Sequence, residues 1–551
     1  MTDLLTRGHW FGPSARPLLG WLTSANPRLS CGVLVLPPVG YEYWSAHRTL
    51  RTLAERLAED GHLVLRIDYD GTGDSAGSQW DPSRVEGWRA SAVAGADELR
   101  ALGVQHLCVV GARLGGTFAL LDGPALGAER VVAWAPILSG RRYARELRLL
   151  SVAVPDTHEP RGASSTLAFA GTVLTAETLA GLAALDLTRD PTPAAEEVLI
   201  LDGDGAGAQL IARWTASGRR VGHQRVTGGE SALAVPAEDA TVPMEVIEAI
   251  ASWIAATGPS APRAVAHDAT RPRAQLTWEG TEIVEEVRRL TDRELVGVWS
   301  VPLEDRPSAP VTVFLNSGSE PHIGSGRAWV EYARALAATG YPAVRLDFSG
   351  WGESPDLGHA PGRPYDPHCV GEITAVVRAL RAQGYEKVML VGLCASAWAA
   401  LRAALTEPID AVVALNPQFY WRPGDPVEAL MSETRVRRTP TRAREELGAR
   451  WRLWPFLDVL GYRPWAGAWL DGLAAAPTQS LLLFAEGDDG LEFLHNRLDR
   501  RLRHVRAGGR ITVREVPEID HSMHRLWLRG RVTEALLEHL RSVEAAGAAA
   551  A

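Results

Sequence analysis

The residues Gly392-Leu393-Cys394-Ala395-Ser396 follow the apolar run Val388-Met389-Leu390-Val391 and precede a helical run from Ala397 to Leu405. This is the small-x-nucleophile-x-small pattern of a nucleophile elbow, in which a strained strand-to-helix turn holds the middle residue and its neighbours two away must be small. Cys394 occupies the nucleophile slot. Ser396 is a rival, but centring the turn on it puts bulky Trp398 where a small residue is needed. A cysteine in a tight turn can also be a small buried filler, so Cys394 needs partners to count as a nucleophile.

A thiol at a helix N-terminus beside an imidazolium loses its proton more readily than free cysteine, and the thiolate is the attacking species. The chain order nucleophile, acid, histidine is met downstream. After the strand Leu481-Leu482-Leu483-Phe484, the segment Ala485-Glu486-Gly487-Asp488-Asp489-Gly490 offers Asp488, with Asp489 as its competitor. After the strand Ile511–Val516, Ile519-Asp520-His521-Ser522 offers His521, with His524 as the alternative. Backbone N–H groups of Ala395 and of Ser319, just past the first parallel strand, are expected to form an oxyanion site. His322 lies close behind, as a pocket-lining residue or one solvated in a loop.

The elements that position these residues occur twice. Val64-Leu65-Arg66-Ile67-Asp68-Tyr69-Asp70-Gly71-Thr72-Gly73-Asp74-Ser75 returns as Val344-Arg345-Leu346-Asp347-Phe348-Ser349-Gly350-Trp351-Gly352-Glu353-Ser354 at a register of 279 residues, and Val131–Pro136 returns as Val412–Pro417 at 281. In each half, short Val/Leu runs alternate with amphipathic stretches such as Thr49–Ala58 and Trp329–Ala338. That alternation predicts an α/β class with two doubly wound, mostly parallel sheets. The expected organisation is a first domain over 1–257, a Pro/Ala/Gly-rich linker over 258–275, and a second domain over 276–545. Segments 4–22 and 277–302 read as antiparallel edge hairpins. The stretch of about 420–475, with Tyr420, Trp421, Trp451, Trp454, Trp465 and Trp469, reads as a helical cap on the second domain.

In the first half the elbow shape survives in Gly111-Ala112-Arg113-Leu114-Gly115, with Arg113 in the nucleophile slot. A guanidinium cannot serve as nucleophile. It is read either as an anion-binding group or as one arm of a salt bridge in a retired site. An acid persists as Asp202 or Asp204, but Gly228–Pro236 supplies no histidine, and His223 inside the preceding strand reads as structural. The first half is expected to be degenerate.

Composition narrows the classes further. With 551 residues, 46% hydrophobic and 22% charged, the chain has material for two cores. The net charge of −9 and the single lysine, Lys387, argue against a nucleic-acid partner, a Walker-type phosphate loop and a Schiff-base cofactor. Four cysteines without a CxxC pair speak against structural disulfides and zinc. No cofactor or metal is expected, no stretch approaches a membrane span, and the N-terminus carries no secretory pattern, so a cytoplasmic location is expected.

These residues together resemble a family of α/β-hydrolase-superfamily proteins, the exosortase A system-associated hydrolases of serine aminopeptidase-like type. The likeness runs through both halves. In the first it rests on Phe11-Gly12-Pro13-Ser14 to Leu19-Gly20, Pro37-Pro38, Asp68–Ser75 and Gly111–Gly115 with its arginine. In the second it rests on Gly324 to Arg327, Gly392-Leu393-Cys394, Asn416-Pro417, Gly487-Asp488 with Gly490-Leu491, and Asp520-His521. Ala395-Ser396 departs from the usual Ser-Gly, and Asp489 stands where proline is common. The resemblance implies two tandem α/β-hydrolase domains and the site Cys394, Asp488 and His521.

The expected activity is acyl hydrolysis, of an ester or thioester, through a cysteinyl thioester. Transfer of the acyl group to an amine, alcohol or thiol is the alternative outcome of the same intermediate. A different class of reading makes both halves a non-catalytic binding scaffold. The expected partner is a small-molecule or carrier-bound acyl compound, and a tandem of like folds can act as an internal pseudo-dimer.

Overall fold

Strand segments such as Val33-Leu34-Val35-Leu36 are apolar at every position, so they need a sheet covered on both faces. The computed structural model meets that need with helices on either side of two sheets. It describes residues 4–548 except 26–27, 30, 154–165, 190–194, 204, 206, 217, 227–228, 230–232, 234, 236, 238–239, 258–262, 265–269, 305, 307, 359–364 and 420–463. The chain divides into two compact units, one of Met1–Arg288 with Gly326–Val330 and one of Arg289–Ser325 with Glu331–Ala551.

The first unit is built on β1 (Leu5–Phe11), β2 (Leu18–Ser24), β3 (Gly32–Leu36), α1 (Tyr41–Glu59), β4 (Leu63–Ile67), α2 (Arg84–Ala101), β5 (Leu107–Ala112), α3 (Leu114–Leu126), β6 (Arg130–Trp134), β7 (Glu197–Asp202) and β8 (Arg220–Arg225). The sheet order is β1-β2-β4-β3-β5-β6-β7-β8. The β1–β2 hairpin and the β2–β4 pair are antiparallel, and all later pairs are parallel. Residues of β3, β4, β5 and β6 are buried along their whole length.

The second unit repeats this plan with β9 (Leu295–Pro302), β10 (Val311–Leu315), β11 (Ala343–Leu346), α4 (Pro367–Ala382), β12 (Val388–Leu393), α5 (Ala395–Ala403), β13 (Ala411–Leu415), β14 (Gln479–Ala485), α6 (Asp489–Ala507) and β15 (Ile511–Val516). Its order, β9-β11-β10-β12-β13-β14-β15, matches that of β2 to β8. Among these seven strands β9 with β11 is antiparallel and the later pairs are parallel, as β2 with β4 and its successors are in the first unit. Both units therefore have the strand order and crossover pattern of the α/β-hydrolase fold, with ligand-binding loops at the carboxyl ends of the parallel strands.

Composition-based boundaries meet a more structured chain. Within the segment expected as linker, Arg263–Ala264 pairs antiparallel with Arg28–Leu29, and Arg273 opens a strand paired with Thr281–Leu290. Of the expected cap, residues 420–463, and with them Tyr420, Trp421, Trp451 and Trp454, lie outside the described residues. The remainder is the helix Pro464–Ala475. No helix among the described residues is long and apolar enough to cross a membrane.

Candidate active site

The turn between β12 and α5 explains its own sequence. Cys394 has φ 55° and ψ −108°, a left-handed conformation that costs a non-glycine residue strain. A Cβ on Gly392 would lie 2.5 Å from the Ala397 nitrogen, so only glycine allows the helix to start this close to the strand. Ser396 fills the second small position and is buried. Its Oγ receives the Leu393 N–H at 3.0 Å and donates to the Leu393 carbonyl at 3.1 Å, so its hydroxyl serves the turn. The strain thus presents Cys394 and retires Ser396.

Asp488 ends the loop after β14 and caps α6. One carboxylate oxygen accepts from the Gly490 N–H at 2.8 Å, and the other meets His521 Nδ1 at 2.6 Å. Asp488 is buried while Asp489 is exposed, and it is Asp488 that meets the His521 ring. With Nδ1 on the carboxylate, Nε2 is the ring nitrogen left for Cys394, whose sulfur and the ring act on each other electrostatically. His524 stays apart: its N–H donates to Asp520 at 3.0 Å, and its ring lies 3.7 Å from the same carboxylate.

Charges in this cluster act on one another. Burial pushes the Cys394 thiol up, but His521 and the Tyr365 hydroxyl outweigh it and bring the thiol below its ordinary value. Burial works against a charged His521, yet the Cys394 sulfur and the Asp488 carboxylate raise it well above an ordinary imidazole. The two shifts belong to one interacting pair, each side favouring the charged form of the other. Cys31, Cys108 and Cys369 are buried, and burial, the largest influence on each, pushes their thiols up.

Three contributors escaped the sequence reading. Tyr365, just before α4, places its hydroxyl 3.5 Å from Cys394 Sγ and donates to Gln418 Oε1 at 2.8 Å. Its ring stands edge-on to Trp398, with centroids 5.7 Å apart. Asn416, at φ 46°, donates from Nδ2 to the His521 carbonyl at 2.7 Å and accepts the Ala485 N–H at 2.7 Å, tying the histidine loop to the acid loop. Asn316 ties the loop after β10 to the loop after β11, donating to Asp347 at 2.8 Å and accepting the Phe348 N–H at 2.6 Å. Only the motif Asn416-Pro417 carried a sequence signal.

Ser319 lies in the partly exposed turn after β10, where the Glu320 N–H meets the Ser317 carbonyl at 3.0 Å, and Ala395 is the first residue of α5. His322 corrects an expectation. It is 1% exposed, not solvated in a loop, and its Nδ1 lies 2.6 Å from Asp347 Oδ2 while its N–H donates to Asp347 Oδ1 at 2.7 Å. The histidine and asparagine together fix the loop that carries Ser319. Trp469 is buried against Phe419 and Trp398, at centroid distances of 4.9 and 6.4 Å, and so anchors the helix Pro464–Ala475 to α5.

In the first unit the same turn holds Arg113, at φ 51° and ψ −117°. Its Nε donates to Glu42 Oε1 at 2.7 Å, and the Tyr143 hydroxyl donates to Glu42 Oε2 at 3.1 Å. Of the two readings of Arg113, the geometry is that of a salt bridge, to a carboxylate only 1% exposed. Asp202 accepts from Gly205 and Gly207 N–H groups and lies 2.9 Å from Nε2 of His223, which projects from the neighbouring strand β8. Asp204 lies outside the described residues. Among the described residues, no group of three or more His, Cys, Asp or Glu side chains is placed to hold a metal ion.

No family model matches the chain, and no curated protein matches it. Solved structures do. Est1E from Butyrivibrio proteoclasticus, seen with ferulic acid, is 17% identical over 45% of this chain and 98% of its own, with a TM-score of 0.34. The Pyrococcus furiosus esterase Pf2001 is 13% identical over 46% of this chain and 92% of its own, with a TM-score of 0.35. Proline iminopeptidase from Mycobacterium smegmatis is 17% identical over 48% of this chain and 99% of its own, with a TM-score of 0.32. Each likeness spans just under half of the chain.

Proposed function

We propose that the second unit is an acyl hydrolase that cleaves esters or thioesters through a cysteinyl thioester. The observation that carries this reading is the His521 ring, which lies 2.6 Å from the buried Asp488 carboxylate and interacts electrostatically with the sulfur of Cys394 at the strained start of α5. The Cys394 thiolate attacks the acyl carbon, and the carbonyl π electrons move onto oxygen, where the Ala395 and Ser319 N–H groups receive them. Collapse of the tetrahedral adduct breaks the bond to the leaving oxygen or sulfur, which takes the proton from His521 Nε2. Water then gives a proton to the neutral ring and attacks the thioester. The second adduct expels the Cys394 thiolate and releases the carboxylic acid. Asp488 holds the tautomer throughout.

A second outcome has a specific support in the nucleophile itself. A thioester reacts comparatively well with amines, so an amine in place of water makes the same site an acyltransferase. Alkylation tests the shared first step. Iodoacetamide is expected to label Cys394 at least about tenfold faster than Cys369, Cys31 or Cys108, and His521→Ala is expected to abolish the difference. Equal labelling of all four cysteines, followed by peptide mass mapping, would overturn the reading in favour of a non-catalytic scaffold.

A further inference from the structure

In the first unit the nucleophile slot is blocked by Arg113, but the space around it is not filled in. Gly40, in the loop after β3, stands at the 279-residue register of Ser319, and Leu114 at the 281-residue register of Ala395. Both line a small pocket, partly open to solvent, together with Val39, Trp88, Thr172 and Leu174. A second partly open pocket shares Val39, Gly40, Trp88, Thr172 and Leu174 with it, so the two form one region over the carboxyl ends of the strands.

Three side-chain donors in this lining, Trp44 Nε1, Trp88 Nε1 and Thr172 Oγ1, have no hydrogen-bond partner among the described residues, and Trp88 and Thr172 are only 4% and 3% exposed. A buried donor without a partner forfeits its bond to water, so a shared apolar lining with three of them suits a ligand that carries an acceptor. The nearby cations do not ask for an anion. Arg113 is bound to Glu42 at 2.7 Å and Arg84 to Asp70 at 2.6 Å, while Arg327, which lines the second pocket, donates to the Gly73, Gly77 and Ser75 carbonyls at 2.7, 2.9 and 2.5 Å. An uncharged acceptor on an apolar body fits this lining.

We propose that the first unit binds an apolar acyl compound, an ester or amide, whose carbonyl oxygen accepts from these donors, and holds it without cleaving it. Arg113 supplies no nucleophile, so the site is a retained binding site and its occupancy does not depend on the chemistry of the second unit. The full chain, with Cys394 first alkylated, would be irradiated with a diazirine-bearing octanamide and its peptides mapped by mass. Saturable labelling of peptides containing Trp88 or Thr172, competed by octanamide, is expected. It should fall about fivefold or more in the Trp88→Phe, Thr172→Val double variant. If that variant does not fold, Thr172→Val alone, which keeps the side-chain shape, is expected to lower the labelling about twofold or more. Absence of saturable labelling in the first unit, or labelling unchanged by the variants, would mean that water alone occupies the space and would overturn the proposal.

Discussion

The turns at Cys394 and Arg113 have nearly the same backbone, φ 55° and ψ −108° against φ 51° and ψ −117°, and opposite chemistry. A Cβ on Gly111 would lie 2.3 Å from the Gly115 carbonyl oxygen, the same kind of crowding that requires glycine at 392. The strained turn is therefore a property of the sheet-to-helix packing and persists whether or not it presents a nucleophile. What differs is the partner. Cys394 faces a histidine held by a buried acid, whereas Arg113 faces the buried acid directly. The turn can thus keep its strain while a salt bridge occupies the slot.

Breaking the working side of this comparison should have the largest effect. Cys394→Ala is expected to lower acyl-thioester hydrolysis by about 10³-fold or more, and Asp488→Asn by about 10²- to 10⁴-fold through the wrong tautomer of His521. Steady-state rates on an acyl-thioester series check both. On the retired side, Arg113→Met is expected to leave that rate unchanged but to destabilise the first unit by about 3 kcal/mol, since it strands Glu42 in the interior. Burial already pushes the Glu42 carboxyl up, and Arg113 is what opposes it. With the arginine gone, the folded state holds the Glu42 proton more tightly than the unfolded chain does. The loss of stability is then greatest above the folded value and fades as pH falls. Thermal melts of the variant at pH 5 and pH 8, each against wild type, should show the larger deficit at pH 8.

Tyr365→Phe probes the smallest effect. Removing a hydroxyl that favours the thiolate should raise the Cys394 value, moving the acid limb of the pH–rate profile upward and lowering the rate about threefold at neutral pH. In wild type that acid limb should lie below the range of an ordinary thiol. The alkaline limb should lie above that of an ordinary imidazole, because the paired state keeps His521 protonated. An unmoved acid limb in the variant would assign Tyr365 to packing against Trp398 alone.

The sequence made legible what is local. The strand-helix alternation, the 279- to 281-residue register, and the small residues around Cys394 follow from short-range sterics and burial period. Asp488 and Asp489 could not be separated by composition, because one residue's shift in a turn decides which side chain caps α6 and which faces solvent. His322 looked like a loop residue because its partner, Asp347, is 25 positions away and only the packing of adjacent strand ends brings them together. The first unit makes the same point. There Tyr43, at the 279-residue register of His322, donates to Asp68 at 2.6 Å, and burial together with nearby Asp74 pushes the Asp68 carboxyl up to about 6. Tyr365 acts across 29 positions, on Cys394, and Asn416 across 105, on the His521 carbonyl.

The most direct test of a cysteine nucleophile in one half only is the mass of the protein during turnover. The full chain, quenched in acid within the first turnovers of an octanoyl thioester, is expected to carry a single octanoyl group on Cys394, absent from Cys394→Ala and accumulating in Asp488→Asn if deacylation is slowed. Hydrolysis at the wild-type rate by Cys394→Ala, or an acyl group found on any residue of the first unit, would contradict the account.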